Sequence, residues 1–209
     1  MKKIFTLIAV AAIAFACDAK PEKTIENLKA AATGESNASA KYAKFAEKAT
    51  ADSLFAVATL FNAASAAEAQ HAANHIKVLK ELSGEDFAPV IEEIIVGTTL
   101  ENLATAKGGE EHEFTVMYPE FVATAQAEGA TKAENSFTWA TTAEAKHAGF
   151  YQEATDAINN NDLCCFTAEW AVCPVCGDTY KVSELGASCA LCGTAKEKFV
   201  IFSTPVASI

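Results

Sequence analysis

Residues 54–82 read LFAVATLFNAASAAEAQHAANHIKVLKEL. Leu54, Val57, Phe61, Ala64, Glu68, His71, His75, Val78 and Leu82 recur at alternating spacings of three and four, which sets them along one face of a helix. That face is apolar at both ends and carries Glu68 and His71 at its middle. The same arrangement returns three times. Ile25, Leu28, Ala32, Glu35, Ser39, Tyr42 and Ala46 form one seam. Val96, Thr99, Leu103, Ala106, Glu110, Glu113, Met117 and Phe121 form another. Ala133, Phe137, Ala140, Glu144, His147, Tyr151, Ala154 and Ile158 form the last. Four such faces predict an all-α four-helix bundle over residues 22–160. Gly84 and Asp86-Phe87-Ala88-Pro89 separate the second and third helices, and Gly129 separates the third and fourth.

A carboxylate buried without a partner costs on the order of several kcal/mol, and five of them on inward faces would unfold a bundle of ordinary stability. A pair of metal ions removes that cost by neutralising the charge. Glu68 and His71, and again Glu144 and His147, form E-x-x-H, whose spacing of three aims both side chains at one centre. The chain also repeats internally. Gly34-Glu35 and Gly109-Glu110 precede the two E-x-x-H glutamates by 33 residues (68 − 35) and 34 residues (144 − 110). Each half is thus a helical hairpin supplying one Glu and then one E-x-x-H, with Glu113 as a further carboxylate in the second. His75, one turn past His71 on the same seam, reads as a core histidine with satisfied hydrogen bonds, with support of a ligand from behind as the alternative, and His112 reads as solvent-facing. For Tyr42 and Tyr151, hydrogen bonds to the acidic residues and plain packing are equally open.

The whole chain has 209 residues, 51% hydrophobic and 21% charged, with net charge −11 and no arginine. That balance excludes wholesale disorder and argues against nucleic acid as a partner. Lys2 and Lys3 precede an apolar run from Ile4 to Ala16, too short for a membrane span but suited to a signal peptide over residues 1–16. Ala14-Phe15-Ala16 is a small-x-small cleavage site followed at once by Cys17. Export to the periplasm, or anchoring as a lipoprotein through Cys17, is the expected localisation. The leucine usual three positions before a lipidated cysteine is replaced by Ala14.

Beyond the linker 161–168 the helical pattern stops. Residues 169–205 carry Cys173-Pro174-Val175-Cys176-Gly177 and Cys189-Ala190-Leu191-Cys192-Gly193, two C-x-x-C-G knuckles that predict a four-thiolate metal site flanked by short strands. Zinc and iron both suit four thiolates. The glycine after each second cysteine lets the backbone approach the sulfur closely. Cys164-Cys165 falls outside the pattern and has no assigned role.

Taken together, the sequence resembles the rubrerythrin family over roughly residues 22–205. The resemblance rests on Gly34-Glu35-Ser36, Glu68-x-x-His71, Gly109-Glu110-x-x-Glu113, Met117-Tyr118-Pro119-Glu120-Phe121, Glu144-x-x-His147 and the paired knuckles, in that order. It implies a ferritin-like di-iron bundle with a small C-terminal rubredoxin-like domain. Glu35, Glu68, His71, Glu110, Glu113, Glu144 and His147 would hold two irons, Glu68 and Glu144 as bridges, with one iron exchanging Glu113 for His71 on reduction. Cys173, Cys176, Cys189 and Cys192 would hold a single iron. The implied activity is reduction of hydrogen peroxide in oxidative-stress defence, with electrons from an unidentified donor passing through the single iron, in a head-to-tail homodimer. The rivals are a ferroxidase that detoxifies iron, and a structural metal-binding protein with a zinc ribbon. Ala190 stands where such knuckles usually have proline, and Asp178 where an aromatic is common.

Overall fold

The computed structural model describes residues 20–204. The proposed signal peptide and Cys17 lie outside the described residues. The helices are α1 (Glu22–Ala51), α2 (Phe55–Ser83), α3 (Thr99–His112), α4 (Tyr118–Ala127) and α5 (Thr131–Asn159). A π-helical turn, Glu113–Met117, joins α3 to α4, so that the two act as one long helix with a wide turn in its middle. The bundle therefore has four long members, with α1 packed on α2 and α3–α4 packed on α5. No helix among the described residues is long and apolar enough to cross a membrane.

The helix ends follow local chemistry. Gly84 takes φ +79° and closes α2 with its N–H on the Lys80 carbonyl, a left-handed cap that glycine adopts without steric cost. Thr98 and Glu101 form a reciprocal capping box that starts α3. Between them, residues 84–98 cross the bundle without helix or strand. Asn37 pins this crossing, donating to the Val90 carbonyl at 3.0 Å and accepting from the Glu92 N–H at 2.8 Å.

Two apolar layers fill the bundle. One gathers Tyr42, Phe45, Phe61 and Tyr151 with Trp170 of the small domain. The other gathers Leu28, Leu79, Tyr118 and Phe137. Between them runs a buried belt of Glu35, Glu68, His71, Glu110, Glu144 and His147. Alanines such as Ala31, Ala32, Ala63, Ala64, Ala67 and Ala140, all buried, keep the helices close.

The third seam needs correction. Val96 is exposed and precedes the helix, which begins at Thr99. Beyond Glu110 the inward positions are Tyr118 and Ala125 rather than Met117 and Phe121, which are only half-buried. The π turn carries one extra residue, so every inward position after it moves on by one.

The chain downstream of α5 forms a three-stranded antiparallel sheet in the order β2–β1–β3, from β1 (Glu169–Val172), β2 (Thr179–Lys181) and β3 (Val200–Ser203). Trp170 pairs with Lys181 on one side and Phe202 on the other. The Trp170 ring turns back onto the bundle, 4.6 Å from Phe150 between centroids. This contact fixes the sheet against α5.

Candidate metal centres

Each E-x-x-H pair sits mid-helix, Glu68 and His71 on α2, Glu144 and His147 on α5. The two pairs interlock. Nδ1 of His71 lies 2.8 Å from Glu68 Oε2 and 3.0 Å from Glu144 Oε1. Nδ1 of His147 lies 3.0 Å from Glu68 Oε1 and 2.9 Å from Glu144 Oε2. Each of these two carboxylates thus offers one oxygen to each histidine. Glu35 joins the group on the His71 side and Glu110 the group on the His147 side, the ligand atoms of each group lying within 4.8 Å of one another.

These distances are edges of a coordination shell. Ligands about 2.1 Å from an ion and at right angles around it stand about 3.0 Å apart. Carboxylate oxygens of Glu35, Glu68 and Glu144 and Nδ1 of His147 are also buried with no hydrogen-bond partner. Buried polar atoms are normally paired, so orphans converging on two centres fit two metal ions. Burial, and then neighbouring carboxylates, push Glu35 and Glu110 well above the usual carboxylate range. Burial opposes the charge on Glu68 as well, but His147 and His71 outweigh it and hold that carboxyl down to about 2. Burial likewise opposes the charge on His147, yet Glu68 and Glu144 raise it to about 9. Without cations the belt must take up protons in place of the charge that metal ions would supply.

Glu113 stands apart from both groups. It opens the π turn, is half-buried, and is pushed up to about 8 by burial and then by Glu144 and Glu68. The structure places Tyr42 and Tyr118 as hydrogen-bond donors to the belt. Tyr42 Oη donates to Glu110 Oε1 at 2.7 Å, and Tyr118 Oη donates to Glu35 Oε1. The role of Tyr118 escapes the sequence, because seven-residue spacing points to Met117 instead. His75 is buried with both ring nitrogens hydrogen-bonded, and His112 is exposed.

The four cysteines form the second centre. Sγ of Cys173 and Cys192 lie 3.5 Å apart, as do those of Cys176 and Cys189. A tetrahedral ion with metal–sulfur bonds of about 2.3 Å needs sulfurs about 3.8 Å apart. Gly177 and Gly193 turn the knuckles at φ +80° and +76°, each donating its N–H to the carbonyl of the knuckle's first cysteine. Donation by Cys176, with backbone N–H groups of Cys176 and Val175, lowers Cys173 to about 4 and leaves Cys176 raised.

This centre docks on the first within one chain. Gly177 lies against His71, and Thr179 Oγ1 is 2.9 Å from His147 Nε2. That second contact holds the His147 ring with Nδ1 facing the belt, as metal-bound histidines are held by a partner on their other nitrogen. Asp178, unusual for its place in the knuckle, is buried and ion-paired with Lys146 of α5 at 2.5 Å. Asn74 of α2 donates to the Val175 carbonyl at 2.9 Å. Cys164 and Cys165 are exposed in the linker, with sulfurs 3.8 Å apart and Asp162 beside them.

A sequence profile described as rubrerythrin matches residues 26–155. Rubrerythrin-2 of Clostridium acetobutylicum is 36% identical over 186 residues, covering 88% of this chain and 98% of that protein. The chain belongs to the rubrerythrin family. Nigerythrin of Nitratidesulfovibrio vulgaris is 34% identical and covers 86% of each chain. The structure of a fully reduced, all-ferrous nigerythrin superposes with a TM-score of 0.78 over 86% of each chain at 34% identity. A bacterioferritin from Desulfovibrio desulfuricans, at 20% identity and a TM-score of 0.60 over 69% of this chain, shares the ferritin-like fold. This rubrerythrin is therefore a ferritin-like bundle with a di-iron centre and a rubredoxin-like iron centre, and its class is oxidoreductase. The choice between zinc and iron left open by four thiolates falls to iron.

Proposed function

We propose that this rubrerythrin reduces hydrogen peroxide to water. The observation that carries the reading is the docking of the four-cysteine knuckle, through Gly177 and Thr179, onto the two histidines of the di-iron belt. A site built only to store or oxidise iron has no use for a one-electron centre held there. Bound iron supplies two electrons from the pair to one O–O bond, while the single iron returns electrons one at a time.

Glu35, Glu68, His71 and Glu144 would hold one iron, and Glu68, Glu110, Glu144 and His147 the other, with Glu68 and Glu144 as the shared ligands. His71 stands inside its group and Glu113 outside, which is the set the resemblance implies for the reduced pair. Glu113 is then the carboxylate in reserve, and its partial exposure leaves it room to swing inward. Tyr42 and Tyr118 hold Glu110 and Glu35 by one oxygen each, so that the other faces the metal. The apolar layers above and below the belt keep bulk water from it.

The resemblance also implies a homodimer that brings one chain's knuckle to its partner's bundle. The contact of Gly177 with His71 supplies a short path without a partner chain. We assign the protein to an exported compartment on the strength of residues 1–17, where the donor must be something other than a cytosolic nicotinamide. The test is the metal content and visible spectrum of protein purified without air, before and after peroxide. The expected result is three irons per chain, with both centres oxidised by stoichiometric peroxide. Zinc at the cysteines would sink the reading, and oxidation by dioxygen in preference to peroxide would turn it to a ferroxidase.

A further inference from the structure

Peroxide reduction follows H2O2 + 2 H+ + 2 e− → 2 H2O. The reduced iron pair supplies the electrons, but the protons have to cross a buried core. We infer that Ser136, His75 and Tyr118 carry those protons inward from a surface cavity to Glu35. The inference rests on the peroxidase reading and assigns the proton route at that same site.

The direction of each hydrogen bond follows from its inner end. Glu35 as a metal-bound carboxylate only accepts, so Tyr118 Oη donates to Glu35 Oε1. Tyr118 has spent its one hydrogen, so its oxygen accepts from His75 Nε2 at 3.1 Å. A neutral imidazole that carries its hydrogen on Nε2 accepts at Nδ1, where Ser136 Oγ lies at 2.8 Å and donates. All three donors point the same way, toward the metal. Burial of the ring between Tyr118 and Phe137 disfavours a charge on His75.

Both ends of this chain are suited to transfer. At the inner end, Glu35 Oε2 is buried without a hydrogen-bond partner and faces the belt. At the outer end, Ser136 lines a cavity of about 180 Å³ between α2 and α5 with exposed Lys77, Lys132 and Asn135. A proton entering at Ser136 moves one hydrogen along each link, the Tyr118 hydrogen passes to Glu35, and Glu35 gives a proton to the peroxide oxygen and returns to carboxylate. No group on the route is left charged. Rotation of the two hydroxyls and exchange of the His75 tautomer reset it for the second proton.

The opposite side of the belt offers the contrast. Tyr42 donates to Glu110 in the same manner, but its ring sits among Phe45, Phe61 and Tyr151. The one polar group among these neighbours, the Tyr151 hydroxyl, is buried with no hydrogen-bond partner to carry the chain outward. A histidine that served only to fill space beside Tyr118 and Phe137 could be an aromatic residue without the cost of burying two ring nitrogens.

The experiment is single-turnover oxidation of the pre-reduced, iron-loaded full chain by peroxide, by stopped flow in H2O and in D2O. His75→Leu is expected to slow it about tenfold or more, and Ser136→Ala by a smaller factor, with iron content unchanged. The solvent isotope effect should rise in both, because proton delivery becomes limiting. A slower rate with no rise in isotope effect means a packing role and overturns the inference, as do unchanged rates. If His75→Leu loses iron, Ser136→Ala decides. Separately, 15N NMR of histidine in the zinc-loaded full chain should show His75 neutral with its hydrogen on Nε2. The Nδ1–H tautomer or an imidazolium overturns the assigned direction. Failure of the wild type to react with peroxide at all would defeat the peroxidase reading, while the NMR result would still judge the route's direction.

Discussion

Gly177 lies against the His71 imidazole with no room for a side chain: a Cβ there would stand 2.3 Å from Nε2 and 2.4 Å from Cδ2. The residue also holds φ +80°, so two constraints meet at one position. Gly177→Ala should therefore do more than cost about 1–2 kcal/mol in backbone strain. It should push the knuckle off the bundle, leave both centres loaded, and slow reduction of the di-iron pair by a donor at the cysteine site at least tenfold. Stopped-flow reduction followed at both centres would check it, and an unchanged rate would mean that this contact is not the electron route.

Replacing Glu68 or Glu144 by alanine removes a ligand from both groups at once, since each carboxylate faces both His71 and His147. Either variant should lose both irons of the pair and keep the cysteine-bound iron. The apo-bundle should be no less stable than apo wild type, because an uncompensated buried carboxylate has gone. Iron analysis and thermal melts give the answer; a full di-iron complement in either variant would refute the shared role.

Cys176→Ser should separate electron delivery from peroxide chemistry. The bundle holds two electrons once chemically reduced, enough for one peroxide, so single turnover should persist. Steady turnover should fall by an order of magnitude or more, because a serine oxygen weakens the four-thiolate site. Loss of single turnover would point instead to a structural need for the knuckle beneath His71.

Metal removal should make stability fall as pH rises. Glu113 is raised to about 8 when folded, so the folded state holds a proton that the unfolded chain releases near the ordinary carboxylate range. The stability this gives is fully present below that range and is lost as pH rises toward 8. His147, raised to about 9, acts in the same direction, its contribution present below its ordinary value near 6.5 and lost as pH rises through 9. Glu68, held near 2, opposes them only in acid, where its contribution is lost as pH falls below 4.5. The metal-free melting temperature should be higher at pH 6 than at pH 9.

Much of this was legible in one dimension. The four seams show themselves because spacings of three and four persist while the residue type changes abruptly at mid-seam, as at Ala64, Glu68 and His71. The cysteine site shows itself because both knuckles keep their two-residue spacing. The π turn left no such trace: Glu113–Met117 has no distinctive composition, and its effect is felt only at Tyr118, one place later than periodicity puts it. Docking of the two modules was hidden for another reason. Gly177 was legible as a turn beside sulfur, but its need to clear His71 depends on a contact across 106 residues (177 − 71). Asp178 looked like a departure until Lys146 appeared opposite it.

Residues 1–16 make a prediction independent of the fold. Native protein should begin at or near Cys17, and mass spectrometry of the purified N-terminus would read it directly. A diacylglyceryl group on Cys17 would establish the lipid anchor, and an intact Met1 would rule out processing.

The π turn at Glu113–Met117 also sets how this family member can change. Removing any one of its residues would straighten α3 and α4 into a plain helix, turning everything beyond by about 100°. Tyr118 would swing off Glu35, Ala125 would leave the core, and the exposed Glu120 or Pro119 would be carried toward the interior. Single substitutions in this turn should be tolerated far better than single deletions. Drift here should be confined to changes of residue at constant length, and a sequence with a gap inside residues 113–117 should be expected to have lost the tyrosine that donates to Glu35.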